Sequence, residues 1–194
     1  MSTPRIPPLP REEWDADLRT ILDRPFTGLT TTPGEAVVTL GENNIFSTLA
    51  RHKSLFTRWM RFGGYLLGGG VLPARERELL VLRTGYNCGS AYEWGQHVRL
   101  ALAVGLARAE IERVAEGPEA DGWSEADRTL LRAADELNRD AKISSDTWAR
   151  LAGTYDERGL IEITMLVGQY HMVAFALNSL EVELDEGLEG LPET

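Results

Sequence analysis

The chain has 194 residues, a length that suits one domain with short arms and supplies enough apolar material for a buried core. Thirty acidic residues outnumber twenty scattered basic ones, giving a net charge of −10; this argues against a general nucleic-acid or anionic-membrane partner, which needs clustered Lys and Arg. The single cysteine, Cys88, excludes an internal disulfide and fits a reducing, cytoplasmic compartment, and MSTPRIPPLP lacks the apolar segment of a secretory signal.

In chain order, residues 1–25 read as a Pro-rich arm followed by a short amphipathic helix through Trp14, Leu18, Ile21 and Leu22, ended before Pro25. The arm either crosses a neighbouring subunit or frays. Residues 26–41 (FTGLTTTPGE within them) read as a long loop of the kind that serves as a lid, and VVTL at 37–40 is a strand candidate. Asn43 or Asn44 caps a helix carrying Ile45, Phe46, Leu49, Phe56, Trp59 and Leu66, with a break near His52-Lys53-Ser54 and a stop at Gly68-Gly69-Gly70. Pro73 opens the next helix, Gly85 offers its left-handed exit, and Ser90 starts another that ends at Gly105. Shorter helices follow from Ala107, Ser124 and Ser145. The long apolar run Leu160–Leu180 has membrane-span length, but Glu162, Gln169, His171 and Asn178 make it a buried central helix instead. The acidic tail, Glu181–Thr194, is expected to be solvated. The fold class is all-α, about six to eight helices, with residues 26–188 as the domain and 189–194 as a tail.

The stretch from Pro73 to Val104 carries the functional signal, because it puts charged residues where apolar ones belong. His97 shares a helix side with Trp94, Leu100, Ala101 and Val104, and Glu78 shares one with Ala74, Val81 and Leu82. Burying both groups costs several kcal/mol unless they are paired. A lone histidine on an apolar side is commonly a satisfied core residue; here Glu93 lies one turn before it and Glu78 on the adjacent helix. A carboxylate orienting an imidazole is what general acid–base work requires. Glu93 also completes a capping box with Ser90, a purely structural use. The bland alternative for Glu78 is an ion pair with Arg83, while Arg75 and Arg77 are assigned to solvent. Tyr92 and Trp94 are candidate walls of a small-molecule pocket. Gln169 and His171 either line the same pocket or hydrogen-bond across a subunit interface. Three histidines and no repeated Glu-x-x-His element leave a metal site without support, and no cofactor motif is present.

Glu78, eleven residues, Ser90, two residues, Glu93, three residues and His97 resembles the signature of the carboxymuconolactone decarboxylase family, whose superfamily includes the alkyl hydroperoxidase D type. LPARERELLVLRTGYN, YEWGQHVRLALAVGLARAEIERV and the flanking segments are similar to its decarboxylase-like branch. The resemblance implies an alkyl hydroperoxidase D-like helical fold, a homotrimer or a hexamer of trimers, and sites near subunit interfaces. Serine and glutamate stand where the peroxidase branch has its two cysteines, which removes disulfide-cycling chemistry. What the resemblance then implies is cofactor-free acid–base chemistry, a decarboxylation or related isomerisation or elimination, on a small lactone or enolisable acid. His97 moves the proton, Glu78 orients it, Glu93 tunes the pair, and Arg83, Tyr92 or Ser90 contacts the substrate. The competing readings are a vestigial structural oligomer and a peroxide-handling protein that uses Cys88.

Overall fold

A computed structural model describes residues 3–26 and 38–192, and these are all-helical. In order they form α1 (Ala16–Leu22), α2 (Asn44–Leu49), α3 (Lys53–Gly68), α4 (Ala74–Asn87), α5 (Ala91–Ala103), α6 (Arg108–Glu116), α7 (Glu125–Asp140), α8 (Ser145–Ala152) and α9 (Glu157–Leu180). Of VVTL, the described residues 38–40 form no strand; Thr39 makes an isolated bridge to Pro25, and Phe26 N–H donates to the Val38 carbonyl at 2.8 Å. Most of the expected 26–41 lid lies outside the described residues, but that pairing draws its two ends together.

Helix α4 is the axis of the molecule, packed against α5, α7 and α9. Its two buried sides feed two cores. Leu80 and Val81 meet Leu130, Ala134, Ile163 and Leu166, while Leu79 and Leu82 meet Trp94, Val98, Ile111 and Val114. Such all-round burial explains why Glu78, on the same helix, is 0 % exposed.

Local chemistry sets the helix ends. Asp15, Ser124, Ser144 and Asp156 each accept a backbone N–H in the first turn of the helix that follows. Pro73 sits immediately before α4, and its carbonyl accepts from Arg77 N–H. The helix runs through Gly85, so the left-handed exit falls instead to Gly89, at φ +60°. α9 is long and apolar enough to cross a membrane, yet more than half of that segment is buried in the protein. Glu162 is accounted for within it: its carboxylate accepts from the N–H groups of Val71 (2.8 Å) and Leu72 (3.0 Å), closing the turn before α4.

Neither arm is loose. Leu9 N–H donates to the Ser47 carbonyl, Arg51 donates to the carbonyls of Pro7 and Pro8, and Trp14 is buried with Phe56. At the other end, the tail expected to be solvated folds back over α5. A Cβ on Gly95 would lie 2.4 Å from the Glu189 carbonyl oxygen, so only glycine lets this backbone approach so closely. Arg108 fixes Glu189 at 2.6 Å, and Asp185 reaches the neighbourhood of Tyr92.

Candidate active site

A cavity of about 640 Å³ opens between α2, α3, α5 and α9. Phe26, Ile45, Phe46, Trp59, Met60, Leu100 and Val173 form its apolar walls, and Arg77, Tyr92, Glu93, Gln96, His97, Gln169 and Tyr170 supply its polar groups. A concave, mainly apolar volume with a few convergent polar groups is the usual form of a small-molecule site.

α4 and α5 bring Glu78 and His97 together. The Oε2 of Glu78 lies 2.7 Å from Nδ1 of His97, and its Oε1 accepts from Nε of Arg77 at 2.9 Å. Burial pushes the Glu78 pKa up, but the charge and hydrogen bond of His97, joined by those of Arg77, outweigh it and hold the group below the ordinary carboxylate value. An ionised carboxylate only accepts, so Nδ1 of His97 carries a proton and Nε2 is the nitrogen left for the cavity. The Tyr170 ring meets the imidazole edge-on, with centroids 4.8 Å apart, and fixes its plane. Arg77, expected in solvent, is instead one of the site's central residues. Its aliphatic stem carries the guanidinium back onto Glu78, and its terminal nitrogens have no acceptor among the described residues.

Glu93 behaves differently from the capping-box expectation. Neither of its oxygens has a hydrogen-bond partner among the described residues, and the Ser90 hydroxyl is likewise unpartnered. Burial pushes the Glu93 pKa well above the usual carboxylate range, which favours the neutral acid. No hydrogen bond joins it to His97.

Tyr92 and Gln96 border the cavity on α5 and are held from outside. Asp185 of the tail accepts from the Tyr92 hydroxyl (2.5 Å), Gln96 Nε2 (2.6 Å) and Asn44 N–H (2.8 Å). Asn43 adds an acceptor for the same amide at 2.9 Å, so its side chain serves this network and does not cap α2. Gln169 lines the cavity with its Oε1 unpartnered.

Four expected substrate contacts lie elsewhere. Arg83 pairs with Asp135 at 2.6 Å and donates to the carbonyls of Val114 and Ala115, so α7 and the end of α6 consume its donors. Trp94 faces the core and meets the Tyr86 ring at a tilt of 58°. Ser90 is fully buried away from the cavity lining. His171 turns to the opposite side of α9, within 3.0 Å of Asn138. Cys88 stands alone near the same asparagine, and burial, followed by the nearby Glu93 carboxyl group, pushes its thiol up to about 11. Among the described residues, no cluster of three or more His, Cys, Asp or Glu side chains could hold a metal ion.

The helical scaffold has an alkyl hydroperoxidase D-like fold, as solved structures show. The debrominase Bmp8 in complex with 2,3,4-tribromopyrrole superposes with a TM-score of 0.76 at 16% identity, over 96% of this chain and 94% of that one. The alkylhydroperoxidase AhpD core protein of Ralstonia eutropha JMP134 gives 0.67 at 16% identity, over 96% and 94%. An AhpD-type protein of Agrobacterium tumefaciens gives 0.65 at 20% identity, over 70% and 94%. At these identities the likeness establishes the fold. Residues 53–136, which hold Glu78, Glu93 and His97, match the model of the carboxymuconolactone decarboxylase family. No curated protein sequence matches the chain.

Proposed function

We propose that the protein is an acid–base enzyme acting at the carbon next to a carbonyl, a decarboxylase or isomerase of a lactone or enolisable acid, with His97 as the proton carrier. The observation that carries this reading is the 2.7 Å contact between Glu78 and Nδ1 of His97 at the wall of a cavity. Glu78 fixes the tautomer, so Nε2 can take a proton from carbon or deliver one to it. In a decarboxylation, the bond from the α-carbon to the carboxylate breaks and carbon dioxide leaves. The electron pair moves onto the carbonyl oxygen as an enolate, and Nε2–H then protonates the carbon; water restores the imidazolium proton. In an isomerisation, neutral Nε2 removes a proton from one carbon and returns it to another. The developing oxyanion needs donors already in place. The terminal N–H groups of Arg77 and the neutral acid of Glu93 are the candidates.

The test is turnover of a panel of β-keto acids and lactone acids, followed by carbon dioxide release and by deuterium uptake from heavy water. His97→Asn is expected to lower either rate by on the order of 10² to 10⁴ while melting close to the wild type. Unchanged rates would remove His97 from the chemistry, and a large loss of melting temperature with no activity to lose would favour the structural oligomer.

We further propose that the protein self-associates. The family resemblance implies a trimer or a hexamer of trimers, and α9 offers a face for it. Ile161, Met165, Met172 and Phe175 follow at steps of four, seven and three residues and are exposed. Light scattering on the wild type and on Met165→Glu checks this: an assembly that the substitution reduces to monomers is expected, and a monomeric wild type would end the idea.

A further inference from the structure

We infer that the cavity selects a bulky, mainly apolar carbonyl compound with one oxygen-bearing end, not the compact lactone acid that the family signature suggests; this rests on the proposed acid–base function. Three observations carry it. The first is size: about 640 Å³ lies within the range of pockets that enclose drug-sized ligands, and Phe46, Trp59, Met60 and Leu100 give it aromatic and aliphatic walls.

The second is the face that α3 turns to this space. Gly63, Gly64 and Gly68 all line it, although glycine inside a helix costs about 0.5 to 1 kcal/mol relative to alanine. At Gly63 a Cβ would come within 3.3 Å of Gln169 Nε2, but at Gly64 and Gly68 it would meet nothing within 4 Å. Among the described residues, no packing contact asks for glycine at those two positions. Both are exposed, so what they keep open is the mouth of the cavity.

The third is the polarity of the deep end. Arg77 has already given one nitrogen to the Glu78 carboxylate, so its remaining donors match one carbonyl or one carboxylate and not two. In the same lining, Gln169 Oε1 is buried and without a partner among the described residues, an acceptor awaiting a hydroxyl or N–H. The geometry therefore assigns Arg77 to an oxygen, Gln169 to a donor, and the glycine face to the apolar body.

The test is calorimetric binding to the full chain of 3-hydroxy-2-naphthoate, a bicyclic monoanion with hydroxyl and carboxylate side by side at one end, and of muconolactone, a compact one. The naphthoate is expected to bind at least about tenfold more tightly. Gly64→Leu favours the helix and fills the space; it is expected to weaken the naphthoate about tenfold or more and muconolactone by less than about threefold. Arg77→Gln, checked for folding, weakens both. Equal or tighter binding of muconolactone, or indifference of the naphthoate to Gly64→Leu, overturns the inference. His97→Asn separates the two ideas, since it is expected to keep naphthoate binding while losing turnover. Binding that follows the size rule without any His97-dependent reaction would fell the proposed function and leave the pocket assignment standing.

Discussion

Glu78 and Glu93 flank the same imidazole, one hydrogen-bonded to it and the other a helical turn away, yet their environments favour opposite charge states. Glu78 has a histidine and an arginine and stays ionised; Glu93 has no partner among the described residues and burial favours its proton. Environments that drive two carboxyl groups apart are a means of dividing acid and base roles within one site.

The Glu93 carboxyl makes stability depend on pH with a defined sign. Its folded pKa is raised, so its contribution is full below the ordinary carboxylate pKa and is lost as pH rises through the folded value. Melting temperatures of the wild type measured from about pH 5 to about pH 9 should therefore fall more steeply than those of Glu93→Gln, which has no such proton to lose. Parallel curves would mean that Glu93 is not held as the neutral acid.

Glu78→Gln tests the other carboxylate. The substitution leaves Arg77 with its charge largely buried and unmatched, and removing one member of such a pair costs about 3 to 5 kcal/mol. The Glu78 folded pKa is depressed, so the stability it supplies is present above the ordinary carboxylate range and is lost as pH falls through the depressed value. Urea unfolding should show Glu78→Gln weaker at neutral pH, with the gap to the wild type closing in acid. A gap that stays constant would contradict the ion pair.

The convergence of Glu78 and His97 could be read from the sequence because both interrupt apolar helical sides on consecutive helices. The partners of that pair could not. Periodicity fixes where a Cα–Cβ bond points, not where a long side chain ends, and Arg77 curls back from a direction that suggests solvent. Trp94 and His97 share a stripe on paper, but α5 is buried nearly all round, so a stripe cannot say which core it faces. The Ser90–Glu93 capping box satisfied a local pattern that tertiary packing overrode. Asp185 escaped notice inside an acidic run. The available signal was Gly95, a glycine in the middle of a helix, which marks close approach by another backbone.

That approach yields a third prediction. Gly95→Ala would push a Cβ into the Glu189 carbonyl, and Asp185→Asn would weaken the acceptor shared by Tyr92, Gln96 and Asn44. Both should loosen residues 181–192 and speed their removal by limited proteolysis. Asp185→Asn should also cost about 1 to 3 kcal/mol, because buried donors lose a charged partner. If the tail only covers the surface, substrate affinity will not change in either variant; a common rise in KM is expected, since Tyr92 and Gln96 border the cavity.

Cys88 supplies the last prediction, because it decides between carbon chemistry and peroxide chemistry. A thiol reacts as its thiolate, and burial with a nearby carboxyl group pushes this one up to about 11, so little thiolate is present near neutrality. The side chain lies outside the cavity lining, beside Asn138. Alkylation by iodoacetamide should therefore be slow at neutral pH and accelerate as pH approaches 11. Cys88→Ser should leave turnover of the carbon substrate unchanged. Rapid alkylation at neutral pH, together with peroxide consumption that disappears in Cys88→Ser, would transfer the function from His97 to the thiol.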